Sequence, residues 1–519
     1  MIIEEQKDVL KALNNPSFYE TSYKNIDVIQ SHISLVFLVG DKAYKLKRGV
    51  KFPYLDYSTI EKRKQACFKE IAVTKEGAPT LFLGVSAIVK DSQKGIIMLP
   101  PNEEPADGQD ILDYVVVMNR FEQENLFENL APLGKLDRFE MMDLAETVVK
   151  IHSVTESFPD RGGSEMIKGR IIENDEMLRC FAPAVFDITD IDTLRDLSVK
   201  EFNKIKDLLD ERKKQGKVKR CHGDIHLHNI CMIDGKPILF DAIEFNDDLA
   251  LIDVMYDLAF LLMDMEKRGL RRLASIFFNH YMAYSGDYEG ILCLPLFQSC
   301  RAAVRAQVCA TMASMQTDED EKNYLNKQAF EYLVLANQML NPKPPILVAS
   351  GGLSGSGKSR LSREIAPYIG ASPGAMIFRT DVIRKKLKGK LPHEHLTKVD
   401  YDEESSKKTY ENLRIECTKV IRAGLPALAD GIFASQDERI AIEKLAKDLN
   451  VPFHGFWMYA NRDIQADRVA TRQRNPSDAT VKVLDRQFEK DVGEVTWNKI
   501  DTSGAKEQTV MTVRKILDV

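Results

Sequence analysis

Paired cysteines, a membrane-length apolar run and an excess of positive charge are all missing from this chain. Its eight cysteines, Cys67, Cys180, Cys221, Cys231, Cys293, Cys300, Cys309 and Cys417, form no Cys-x-x-Cys pair. They are too sparse for a disulfide scaffold, which points to a reducing compartment. The longest apolar candidate, Leu249 to Met263, is interrupted by Asp253 and Asp257, so neither a bilayer span nor a membrane partner is expected. The amino-terminal MIIEEQKDVLKALNN carries acidic residues early and lacks a basic region followed by an apolar run and a cleavage site. A cytoplasmic protein is therefore expected. A net charge of −6 and a pI near 6.0 weigh against a general nucleic-acid coat, which needs Lys and Arg to neutralise phosphates.

With 519 residues, 44% of them hydrophobic, the chain exceeds what one core sustains, and two or three domains are expected. The segment NPKPP at Asn341 to Pro345 cannot continue a helix, because proline removes a backbone donor and biases its predecessor toward extended geometry. It divides the chain into residues 1–340, a linker at 341–345 and residues 346–519. In the first part, SLVFLVGDKAYKLK at Ser34 to Lys47 predicts a hairpin turning at Gly40-Asp41. Ser58 to Lys75 predicts a helix, with Ser58 and Glu61 at capping-box spacing. Tyr114 to Phe121 reads as a buried strand, Lys135 to about Val154 as a helix, and Leu249 to about Leu340 as the helical half of the first domain. Beyond the linker, ILVASGG, GLPALADGIF and PFHGFWMYA read as strands alternating with helices, the pattern of a parallel α/β sheet.

The second part contains G-x-x-x-x-G-K-S, the Walker A pattern, from Gly352 to Ser359, between a predicted strand and a predicted helix. Gly352, Gly355 and Gly357 let backbone N–H groups turn toward an anion, Lys358 reaches outer phosphates, and the Ser359 hydroxyl suits Mg²⁺. Downstream, Asp381 and Arg384 stand one helical turn apart. They suit an acceptor hydroxyl and an anionic substrate, with a surface ion pair as the alternative. Asp430 ends the apolar run ALAD, where a carboxylate can complete a Mg²⁺ shell. Arg468 and Arg472 share a helical face, followed by Arg474, and read either as a clamp on transferring phosphates or as a solvated basic face. Together these elements resemble the small P-loop kinases that include gluconate kinase, zeta toxins and the kinase domain of polynucleotide kinase. That resemblance implies an acceptor-side role for Asp381 and a lid containing Arg468 and Arg472.

In the first part, CHGDIHLHN followed by ILFD runs from Cys221 to Asp241. The carboxylate of Asp224 suits the acceptor hydroxyl, and the oxygens of Asn229 and Asp241 suit a hard cation. A zinc site built on His222, His226 and His228 is the lesser alternative, since the interleaved Asp and Asn account for the segment. Glu244, Asp247 and Asp248 exceed what metal binding requires and are read as a solvated turn. The segment resembles the catalytic loop and metal-binding segment of aminoglycoside phosphotransferases, implying a protein-kinase-like fold. The resemblance further implies a hairpin lysine paired with a helical glutamate, Lys45 with Glu70, although Lys47 lies on the same strand face. It implies an adenine-contacting hinge at Met118 to Arg120 and a supporting aspartate at Asp257. No G-x-G-x-x-G loop precedes Lys45, so the nucleotide cover must differ from that of protein kinases.

The whole chain resembles bacterial proteins described as bifunctional aminoglycoside phosphotransferase and ATP-binding proteins. The expectation is a two-site kinase using ATP and Mg²⁺ on hydroxyls of small metabolites, of open oligomeric state. The alternatives are that the P-loop domain phosphorylates a nucleotide or nucleic-acid end, or that one domain is a nucleotide-sensing module.

Overall fold

The computed structural model describes residues 4–19, 22–52, 55–471, 474 and 476–519. They group into two compact units, Met1–Gly163 with Asp210–Leu258, and Ser164–Leu209 with Ala259–Val519. Among the described residues no helix is long and apolar enough to cross a membrane.

The first unit is built on an antiparallel sheet in the order Asp27–Gln30, Ser34–Val39, Lys42–Lys47, Asp110–Asn119, Phe82–Asp91, Gly95–Met98. The hairpin expected at Ser34 to Lys47 forms, with Gly40 at φ 59 in its turn, a left-handed conformation that glycine adopts without a Cβ penalty. Alternation along Lys42–Lys47 sends Leu46 into an apolar cluster with Phe37, Val115 and Val117, while Lys45 and Lys47 share the opposite face. On that face the helix Ile60–Thr74 packs Cys67 against Val85, Ala87 and Val116. Its N-cap is Thr59, accepting from the Lys62 N–H, rather than Ser58, whose N–H and hydroxyl both donate to Asp56. The helix expected from Lys135 starts at Arg138, behind a capping box of Asp137 and Glu140.

The second unit holds a five-stranded parallel sheet, in the order Met376–Arg379, Ala427–Asp430, Leu347–Gly351, Phe453–Tyr459, Asn498–Asp501. Val348, Leu428, Phe456 and Met458 build its core against Leu361 and Ile365 of the helix Lys358–Ile365. Two strands escaped the sequence reading. Met376–Arg379 has only four residues, and Asn498–Asp501 buries only Ile500, so neither carries a usable apolar period. The helical stretch from Ala259 to Leu340 falls within this unit. There Arg272 pairs with Glu364 at 2.7 and 2.8 Å, Arg271 donates to the Gly370 carbonyl at 2.8 Å, and Asn279 accepts from the Ile377 N–H at 2.7 Å.

The indole of Trp497 lies across two glycines on neighbouring strands: a Cβ on Gly455 would meet its Cγ at 2.5 Å, and one on Gly351 its Cζ3 at 2.9 Å. Gly455 is thus required by packing rather than by backbone angle. Gly455→Ala should lower stability by about 1–3 kcal/mol, the usual cost of overfilling a packed site. The expected readout is a lower urea midpoint for the second unit with altered tryptophan fluorescence; an unchanged midpoint would contradict the packing argument.

Candidate active sites

The first site forms where the lysine strand faces the loop after Asp241. Lys45 Nζ donates to Glu70 Oε1 at 2.7 Å and to Asp241 Oδ1 at 2.5 Å. Lys47 Nζ donates to the other oxygen of the same carboxylate, Glu70 Oε2, at 2.7 Å, and also pairs with Glu244. The Tyr57 hydroxyl donates to Glu244 at 2.5 Å. Glu70 therefore serves both lysines, and the choice between Lys45 and Lys47 resolves into two positions, one facing Asp241 and one facing Glu244.

Burial alone would raise the Glu70 pKa, but the two ammonium groups outweigh it and hold the carboxyl at about 2. Burial likewise opposes the charge on Lys45, yet Asp241 and Glu70 outweigh it and lift the pKa above the usual lysine range. Two cations meet three carboxylates here, so the cluster keeps one negative charge. Asp241 is the most open of the three carboxylates, at 50% side-chain exposure against 2% for Glu70 and 5% for Glu244. The expectation that Glu244 belongs to a solvated turn is corrected: it is buried because Lys47 and Tyr57 need an acceptor. Asp247 and Asp248 do lie at the surface, paired with Lys69, Arg220 and Arg161.

Asp224 and Asn229 are brought together on the neighbouring loop. Asn229 Nδ2 donates to the Asp224 carbonyl at 3.1 Å and to its Oδ2 at 3.2 Å. Asp257, fully buried, accepts from the N–H groups of His222 at 3.2 Å and Gly223 at 2.8 Å, which fixes the backbone just ahead of Asp224. His152 Nε2 braces it at 3.1 Å. His152, Cys221 and Asp257 approach within 4.8 Å of one another. These backbone donors and the Cys221 contact to the Ile252 carbonyl at 3.5 Å account for that cluster as a buttress.

The three histidines do not converge. His222 Nε2 meets the Phe240 carbonyl, His226 meets Asp224, and His228 meets Glu128. Burial holds His222 below the usual imidazole range despite Asp257 and Asp224 nearby. Met118, next to last in the strand Asp110–Asn119, is half-buried beside the apolar cluster of Leu81, Leu126 and Ile238.

The second site is the turn between the strand Leu347–Gly351 and the helix Lys358–Ile365. Gly352 and Gly355 sit at φ 133 and 78, where a Cβ would lie 2.2 Å from the Met458 carbonyl oxygen and 2.3 Å from that of Gln465. Lys358 Nζ donates to the Leu353 carbonyl at 2.8 Å, across the turn. Arg468 donates to Thr502 Oγ1 at 3.1 Å and its carbonyl at 2.7 Å, with a longer contact to the Gly355 carbonyl at 3.5 Å, so it braces the turn from outside. Arg472 lies outside the described residues.

Asp381 opens the helix Thr380–Leu387 and its carboxylate finds no hydrogen-bond partner among the described residues. Arg384 is turned inward onto the Asp400 carbonyl and the hydroxyls of Ser405 and Ser406, with the Tyr401 ring 4.8 Å away. Asp430 is 3% exposed, and its Oδ2 accepts no hydrogen bond. Arg379 escaped the sequence reading. Its Nη2 donates to Ser359 Oγ at 2.9 Å and its Nε lies 3.4 Å from Asp430 Oδ2. Its place at the end of a strand, two residues before Asp381, was the available signal.

Both sites offer what a hard divalent cation takes, oxygen donors with a carboxylate among them. In the first these are Asp241 and the amide oxygen of Asn229; in the second, Ser359 and Asp430, whose buried Oδ2, ion-paired but accepting no hydrogen bond, is the observation that fits best.

Residues 96–291 match the model of the phosphotransferase enzyme family, and residues 347–490 match that of the AAA domain. The chain thus carries one segment similar to the phosphotransferase enzyme family and another similar to the AAA domain, and the two support a phosphotransferase enzyme. Uncharacterized proteins of Mycobacterium tuberculosis and Mycobacterium bovis are each 27% identical over 493 residues, covering 93% of this chain and 94% of their own. Among solved structures, a choline/ethanolamine kinase family protein from Mesorhizobium loti is 11% identical, with a TM-score of 0.38 over 64% of this chain and 99% of that one. The GDP complex of aminoglycoside 2'-phosphotransferase-IIIa is 14% identical, with a TM-score of 0.38 over 62% and 98%. A gluconokinase from Sinorhizobium meliloti is 18% identical, with a TM-score of 0.24 over 34% and 96%.

Because Glu70 is held below its ordinary value of 4.5, its contribution to stability is complete above pH 4.5 and is lost as pH falls toward 2. Glu70→Gln should flatten the acid dependence of the first unit's stability across that window. At neutral pH it should cost about 3–5 kcal/mol, the penalty for removing one partner of a buried ion pair. Denaturant midpoints measured from pH 7 down to pH 3 test both effects.

Proposed function

We propose that this protein is a two-site ATP-dependent phosphotransferase, transferring γ-phosphoryl groups to hydroxyls of small metabolites. The observation that carries the reading is the Lys45 ammonium, which joins the helical Glu70 to Asp241 beside the Asp224 and Asn229 loop. Backbone pairing supports the grouping, since the Phe240 N–H, next to Asp241, donates to the Asn229 carbonyl at 3.1 Å. In this reading Lys45 holds the phosphates of ATP, Asp224 accepts or steers the acceptor's hydroxyl proton, and Met118 faces the adenine.

In the P-loop unit Lys358 exchanges the Leu353 carbonyl for the outer phosphates, and the glycine turn presents its N–H groups to them. Asp381, whose carboxylate has no hydrogen-bond partner among the described residues, serves the acceptor hydroxyl. Arg468 keeps the turn in shape, and Arg472, four residues later in the sequence, is assigned the second lid role by the resemblance. Arg384 meets an anionic acceptor after releasing the Asp400 to Ser406 segment. Asn229 and Asp241 would hold Mg²⁺ in one site, and Ser359 and Asp430 in the other. When bound, the ion supplies charge neutralisation on the phosphates. The rest is positioning by the chain's own groups. We place the protein in the cytoplasm, in keeping with its eight free cysteines.

A nucleic-acid end as acceptor draws less support. The basic stretch Arg384 to Lys390 is turned on its own chain: Arg384 and Lys385 are buried, Lys386 contacts the Gly286 carbonyl, Lys388 pairs with Asp400, and Lys390 pairs with Glu394.

Incubation with labelled ATP and a metabolite pool, followed by mass-spectrometric identification of products, tests the proposal. Asp224→Ala and Lys358→Ala should each remove a different phosphorylated product, by at least about a hundredfold in rate. If either variant leaves the product pattern intact, the corresponding unit does not transfer phosphate and a nucleotide-sensing role takes its place.

A further inference from the structure

Parallel pairing sets Arg379 opposite Asp430 in register at the carboxyl ends of adjacent strands, and Asp430 in turn stands opposite Ser350 on the strand that leads into the phosphate turn. Partners in register on parallel strands point to the same face. The Arg379 side chain, 17% exposed, therefore reaches over Asp430 to the start of the helix Lys358–Ile365. One end of the guanidinium makes a well-formed hydrogen bond to Ser359 Oγ at 2.9 Å. The other makes an ion pair at 3.4 Å with an Asp430 oxygen that accepts no hydrogen bond.

We propose that Arg379 is a built-in counter-cation of the phosphate turn, competing with a divalent cation for Ser359 and Asp430. The inference rests on the reading of this unit as a site for metal-bound nucleotide. Three physical points lead to it. Burying a carboxylate, here 3% exposed, is costly unless a cation compensates it, and among the described residues Arg379 is ion-paired with it. Oxygen ligands of Mg²⁺ sit about 2.0–2.1 Å from the ion, so guanidinium and ion cannot hold the same two oxygens together. The bridge is also uneven, with one directed bond and one undirected ion pair, so its Asp430 side is the looser.

The consequence is that Arg379 makes metal binding weaker than the oxygen donors alone would allow, and keeps Asp430 and Ser359 in place when metal is scarce. Arginine does this by a fork that lysine, a point charge, does not reproduce.

The test uses the full chain and a fluorescent ADP analogue, counting only the binding that Lys358→Ala abolishes. At fixed analogue, Mg²⁺ is titrated into the wild type, Arg379→Met and Arg379→Lys, and thermal melting is recorded with and without Mg²⁺. Arg379→Met should lower the half-saturating Mg²⁺ concentration about five- to tenfold, up to about 1.4 kcal/mol at the tenfold limit. It should also melt at a lower temperature than the wild type without Mg²⁺, with the gap narrowing when Mg²⁺ and nucleotide are saturating. Should Arg379→Met not fold, Arg379→Lys carries the test, and its half-saturation should shift in the same direction. An unchanged or raised half-saturation in the folded variants overturns the proposal while leaving the nucleotide site standing. Absence of Lys358-dependent binding in the wild type removes that site, and the proposal with it.

Discussion

The first unit depends on one carboxylate shared by two ammonium groups. Burying Glu70, Lys45 and Lys47 together is expensive in solvation, and only close mutual geometry offsets it. Helix Ile60–Thr74 brings the carboxylate and strand Lys42–Lys47 brings both cations. The period of two along that strand makes the sharing possible, because residues two apart project from one face. Asp241 and Glu244 then attach to the free sides of the two lysines. The loop carrying the candidate metal ligand is thereby fixed to the sheet at two points rather than one.

The P-loop unit solves a related problem with different parts. Its charged groups cluster at the carboxyl ends of parallel strands, where the chain leaves the sheet and the backbone can turn. Lys358, Arg379 and Arg468 each engage oxygens of the protein itself: the Leu353 carbonyl, Ser359 with Asp430, and Thr502 with Gly355. The site is therefore held in shape by its own cations, and a phosphate ligand would exchange partners with them instead of assembling the pocket from disorder.

Much of this was legible in the sequence because short-range constraints write themselves locally. The hairpin at Ser34 to Lys47, the turn at Gly352 to Ser359 and the loop at Cys221 to Asp241 each require specific residues at fixed spacing. Glu244 was misread because a carboxylate three residues after a metal-type aspartate looks solvated until a lysine 197 positions away is seen to meet it. Arg379 was missed for a similar reason: its partners come from two other segments, and its strand is only four residues long. Arg384 pointed inward for a cause no spacing reveals, the carbonyl and hydroxyls presented by Asp400 to Ser406.

The doubled lysine also ties two kinds of selection together. A drift event that removed Lys45 would strip the cation from Asp241 and take the donor from Glu70 Oε1, leaving Lys47 as the one ammonium between two buried carboxylates, Glu70 and Glu244. Such a loss would be felt in the fold as well as at the site, so a lineage cannot discard that lysine silently.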